Sequence, residues 1–126
     1  MKKLLFVFIL LLVPAAAFAQ AAPTDRFQWV QVAPTLAVAS AYRYEVGLDA
    51  DPGTTVLTAT CVGATSPFTC SASIPAVTPT THTARVRAVD TSGPTAITGP
   101  FSDPLTFTMR ATPAKATGLI IVPGSD

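Results

Sequence analysis

"VTPTTHTARVRAVDTSG", residues 77–93, begins in a Pro/Thr turn and passes into a strict alternation. Ala84, Val86 and Ala88 fall on one face of an extended segment, and Thr83, Arg85 and Arg87 fall on the other. Side chains of a strand alternate between faces, so the pattern predicts a half-buried β-strand. The segment closes on Asp-Thr-Ser-Gly, a turn signal. It also holds His82, the single histidine of the chain. A lone His invites a catalytic, metal or pH-sensing reading, because imidazole titrates near neutrality.

The same period recurs on both sides. "YRYEVGLD" (42–49) sets Tyr42, Tyr44, Val46 and Leu48 against Arg43, Glu45 and Asp49, and Glu45 reads as solvent-facing. "DADPG" (49–53) closes it with turn residues. Earlier, "RFQWVQ" (26–31) places Phe27 and Trp29 on one face, and "QVAPTLAVASA" (31–41) reads as a loop or bent connection. "TTVLTATC" (54–61) and "CSASIPAV" (70–77) are two further strands, joined by "VGATSPFT". Downstream, "DTSGPTAITGPFSDP" (90–104) reads as a long Gly- and Pro-rich loop before "LTFTM" (105–109), whose Leu105, Phe107 and Met109 face inward. Six short strands between turn signals, with no helix-period segment, predict an all-β sandwich or barrel.

The chain opens "MKKLLFVFILLLVPAAAFAQ". Lys2 and Lys3, an apolar run from Leu4 to Val13, and Ala17-Phe18-Ala19 form the three parts of a signal peptide over residues 1–19. The run has ten residues, against about 20 for a bilayer span. Export to the periplasm, the cell surface or the exterior follows, with no membrane attachment after cleavage. What remains is one ordinary domain. Eight basic residues face seven acidic ones, and two of the basic residues lie in the leader. No charge footprint for nucleic acid is left.

Cys61 and Cys70 are the only cysteines. An even count in an oxidising compartment predicts a disulfide, and closing so short a loop stabilises by roughly 2.5–3 kcal/mol. A zinc site needs more Cys and His at ligand spacing. The sequence has no Asn, which excludes N-glycosylation.

Taken in order, these segments resemble a fibronectin type III-like domain over about residues 26–110. Val77, Pro79 and Thr80 are similar to that family's corner between its fifth and sixth strands. Ala84, Val86 and Ala88 match the inward positions that follow, Trp29 matches a core tryptophan, and "YEV" (44–46) matches the third strand. The resemblance implies an immunoglobulin-like/fibronectin type III-like sandwich. It also places His82 where the family carries a corner tyrosine, whose hydroxyl bonds back to the backbone. An imidazole N–H can make the same bond at shorter reach, so His82 is expected to lock the bend.

Two departures from the family stand out. The front of the mature chain offers only "QAAPTD" for a first strand, which leaves that position apparently vacant. At the back, "ATPAKATGLIIVPGSD" (111–126) carries a β-prone apolar run, Leu119, Ile120, Ile121 and Val122, without an assigned partner. Three readings compete for this tail: a disordered remnant of a longer array, a strand folded back into its own sandwich, or a strand added to a neighbour. Folding back parallel to the last strand is taut, since residues 111–117 reach about 23 Å at most against roughly 17–20 Å for a strand. Strand addition needs no return, and repeated head to tail it builds a filament.

Signals for chemistry are weak. A Ser-His-Asp arrangement would draw on His82 with Ser71, Ser73 or Asp90, but no Gly-x-Ser-x-Gly elbow exists. Glu45 is the only Glu, which leaves no paired carboxylates for a glycosidase. Asp49, Asp51 and Asp103 are calcium candidates without EF-hand spacing, and turn chemistry explains them as well. No cofactor or metal is expected.

The reading is therefore a non-enzymatic, exported sandwich over 20–110 with a linker and extra C-terminal strand over 111–126. Its expected partner is another copy of itself. The alternative is a monomeric adhesion module that binds an extracellular protein or carbohydrate through loops 31–41 and 90–104, with Ile97 and Phe101 as candidate contacts. No Arg-Gly-Asp tripeptide is present.

Overall fold

The computed structural model describes residues 19–124. The expected signal peptide thus lies outside the described residues, apart from Ala19. Nine strands and one short helix form two sheets. The first runs β1 (Ala19–Ala21), β9 (Leu105–Met109), β7 (Thr81–Asp90), β3 (Arg43–Leu48), β4 (Thr54–Leu57), with β8 (Ile97–Thr98) also on β7. The second runs β2 (Arg26–Gln31), β6 (Phe68–Ser73), β5 (Ala59–Val62). The protein is an all-β sandwich.

Alternation explains the layers. Tyr44 pairs with Ala88, Val46 with Val86 and Leu48 with Ala84, so the inward rows of β3 and β7 coincide. Across the sandwich, Phe27 of β2 meets Phe107 of β9 edge-to-face, with ring centroids 5.6 Å apart. Trp29 tilts over Tyr44 at 5.1 Å. Each such aromatic pair adds about 0.5–1.5 kcal/mol beyond its buried area.

Several expectations are corrected by pairing. Segment 31–41 contains a helix, α1 (Leu36–Ala41). Thr35 caps it by accepting from the Val38 amide at 3.2 Å, and the Tyr44 hydroxyl donates to the Ala39 carbonyl at 2.7 Å. Six residues are too few to display a helical period, so the segment reads as a loop in the sequence. "TTVLTATC" is two strands, because the chain passes at Thr58 from the first sheet to the second.

The 90–104 segment turns back along β7 instead of looping freely. Beyond β8, the Gly99 amide donates to the Ala88 carbonyl and the Ser102 amide to the Val86 carbonyl, both at 2.8 Å. Pro100 and Pro104 have no N–H to give, which breaks the ladder into β8 and β9. At Gly99 a Cβ would lie 3.0 Å from the Ala88 carbonyl oxygen, so only glycine keeps this approach.

The front position is not vacant. β1 lies parallel to β9, pairing Ala19 with Phe107 and Ala21 with Met109. Two alanines and a glutamine are too short a signal, and the first of them, Ala19, belongs to the expected leader. At the back, residues 110–124 form no strand, which corrects the expected extra C-terminal strand within one chain.

Candidate functional site

His82 opens β7 as a buried residue beside Phe107, with ring centroids 5.8 Å apart. Its Nδ1 lies 2.8 Å from Oδ2 of Asp49, and its Nε2 lies 2.8 Å from the Thr78 carbonyl oxygen. Asp49 and the Thr78 carbonyl only accept, an arrangement that favours the protonated ring. The Asp49 hydrogen bond, followed by the Thr78 carbonyl, holds the His82 pKa above its ordinary value against the opposing effect of burial.

Asp49 is built for this contact. It sits in the turn after β3 with a φ of 54°, a left-handed conformation that Asp tolerates better than most residues. Its backbone N–H donates to the Thr83 carbonyl at 2.7 Å, and its Oδ1 accepts from the Thr83 amide at 2.9 Å. The His82 hydrogen bond and then the Thr83 amide hold its carboxyl below the usual range. One aspartate thus ties the end of β3 to the start of β7 by three hydrogen bonds.

The partner of His82 is Asp49, and neither Asp90, Ser71 nor Ser73 reaches it. Asp90 binds Ser92, while Ser71 and Ser73 accept from Arg26. Thr80 Oγ1 lies 3.1 Å from Nε2, which puts Asp, His and a hydroxyl in line. A general base needs a free lone pair on that nitrogen. Here Nε2 also lies against the Thr78 carbonyl, 2.8 Å away and nearer than the Thr80 hydroxyl.

Glu45, expected to face solvent, is buried with 6% exposure. It accepts from Arg87 and Arg43, each at 2.9 Å. The Arg87 hydrogen bond, with Arg43 behind it, keeps its carboxyl below the usual range although burial opposes this. Alternation assigned the outward face correctly but could not show the two arginines that cover it. Among the described residues, no three His, Cys, Asp or Glu side chains gather as metal ligands.

Cys61 and Cys70 form a disulfide between directly paired positions of β5 and β6. Both sulfurs face inward, 3.6 Å from the Tyr44 hydroxyl. Burial pushes that phenol up to about 12.

Ile97 is exposed on β8. Phe101 lies on the outward face of the first sheet, its ring centroid 4.6 Å from the Arg87 guanidinium carbon. A Cβ on Gly47 would sit 3.5 Å from the ring, so the missing side chain there makes room for it. At the sandwich end, α1 and Asp90–Ser92 line a hollow of about 160 Å³.

One side of the sandwich is a seam between β2 and a margin made of β1 and residues 99–107. One hollow of about 280 Å³ is bordered by Arg26, Phe27 and Gln28 across from β1 and Leu105 and Phe107. The next, of about 290 Å³, is bordered by Trp29, Val30 and Gln31 across from Gly99, Pro100 and Phe101. Trp29 Nε1 is buried without a hydrogen-bond partner among the described residues. Leu119 and Ile121 are 98% and 97% exposed, and Ile120 and Val122 are 73% exposed.

No protein-family model, curated protein or solved structure matches this chain. Among the described residues, no helix is long and apolar enough to cross a membrane.

Proposed function

We propose that this chain is an exported, non-enzymatic structural subunit of fibronectin type III-like design. It assembles head to tail into an extracellular filament by adding its C-terminal segment to a neighbour's sheet. The observation that carries the reading is the exposure of four consecutive aliphatic residues, Leu119 to Val122. Fully burying such a side chain stabilises by roughly 1.5–3 kcal/mol, and this segment leaves all four in water. A β-prone apolar run held clear of its own core is suited to strand addition. The disulfide supports an oxidising compartment, and the engaged nitrogens of His82 support a structural role for that residue.

Light scattering on the mature chain and on a chain lacking residues 118–126 tests the proposal. Concentration-dependent assembly that disappears with the truncation is the expected result. A truncated chain that assembles to the same size rejects it.

A second reading rests on exposed Ile97 and the hollow beside α1. A monomeric module would bind an extracellular protein or carbohydrate through that end. A chain that stays monomeric at all concentrations, and whose glycan or matrix-protein binding is lost on Ile97→Ser, favours it.

A further inference from the structure

Resting on the reading of the tail as an assembly strand, we infer that residues 118–123 of a second copy lie along the free edge of β2. They fill the seam between β2 and the margin of β1 and residues 99–107. Among the described residues, β2 pairs only with β6. It has six residues, against three for β1 and four each for β4 and β5. It contains no proline, and its single charge, Arg26, stands at its start. The facing margin at 97–104 is interrupted by Pro100 and Pro104. Proline, charge and shortness are the usual devices that blunt an edge, and of these β2 carries only Arg26, at its start.

The chemistry of the two faces also fits. Leu-Ile-Ile-Val is apolar in both alternating rows, the mark of a strand covered on both sides. Beside β2, an incoming strand turns one row toward Phe27, Trp29 and the two hollows of the seam. Its other row falls next to the outward row of β2, where Val30 is exposed, with exposed Val32 just beyond. The incoming backbone also brings carbonyls into the hollow that Trp29 lines, and buried indole N–H groups ordinarily find an acceptor.

A second copy reaches this edge more directly than the chain's own tail. A tight turn after Met109 would lay the tail against Phe107–Met109, but β1 already pairs there. The Arg110 amide extends that contact to the Ala21 carbonyl at 2.8 Å. The chain's own tail would have to cross β1 to reach the seam, whereas a neighbour's tail enters from outside the sandwich.

The test uses variants of the full mature chain that carry one added cysteine beside the native Cys61–Cys70 disulfide. Ile121→Cys is mixed with either Gln28→Cys on β2 or Val56→Cys on β4, both at exposed positions. Mild oxidation followed by mass spectrometry should give at least tenfold more 121–28 than 121–56 cross-link. In parallel, Val30→Lys should abolish assembly and Val56→Lys should preserve it. Equal cross-linking at both positions, or normal assembly of Val30→Lys, overturns the β2 site if removal of 118–126 still dissolves the assembly. If that removal changes nothing, the tail reading itself fails, and the seam fails with it.

Discussion

His82 Nδ1 lies 2.8 Å from Asp49 Oδ2, joining the first residues of β7 to the turn that ends β3. These residues are far apart in sequence, and β3 and β7 are neighbours in the first sheet. The pair therefore closes the corner of the β3–β7 pairing.

The pH dependence of stability follows from this corner. The folded His82 pKa is raised above 6.5, so its contribution is fully present below pH 6.5 and is lost as pH rises through the folded value. Asp49 and Glu45 are lowered from 3.8 and 4.5, so their contributions are present above those values and are lost as pH falls through the folded ones. Stability should be greatest between about pH 4.5 and 6.5. Urea midpoints measured from pH 3 to 9 should trace that plateau, and His82→Gln should remove the decline on the alkaline side. An alkaline limb that survives in His82→Gln would assign it to another group.

The disulfide supports a preformed hairpin. Replacing both Cys61 and Cys70 by Ala should cost about 2–3 kcal/mol by the loop-closure argument, and the variant should still fold at low temperature. Thiol titration of the exported chain should find none free without denaturant and reductant.

Gly99 and Gly47 should respond differently to the same change. Gly99→Ala puts a Cβ 3.0 Å from a backbone oxygen that cannot swing away. A loss of about 1–2 kcal/mol is expected from overpacking. Gly47→Ala meets Phe101 at an ordinary 3.5 Å, so its midpoint should barely move. Equal losses at both sites would contradict the close return of residues 97–102 along β7.

Glu45→Gln should cost about 1–2 kcal/mol, because both arginines lose a charged acceptor at a buried site. The acid limb of the stability profile should flatten in the same variant.

Removing residues 118–126 should leave the unfolding free energy of a dilute, unassembled chain within about 0.5 kcal/mol. The four aliphatic residues of the tail are exposed and bury almost nothing. A larger loss would mean that the tail packs on its own sandwich.

Alternation is a local property, and it suffices for much of this protein. Tyr44, Val46, Ala84, Val86, Ala88, Phe27, Trp29 and Phe107 all take their inward rows from period-2 patterning that is readable residue by residue. The hairpin position of Cys61 and Cys70 follows from their short separation and even number. Pairing is not local. Whether Thr58 separates two sheets, whether residues 97–102 return along β7, and whether three residues at Ala19 suffice to cover β9 all depend on backbone partners distant in the chain. The same holds for charge: Asp49 reads as turn chemistry and Glu45 as a solvent-facing strand residue. They become a His partner and a buried double acceptor because β3 and β7 lie side by side. Side-chain period is carried by a few consecutive residues, whereas hydrogen-bond partners and burial exist only once distant segments have met.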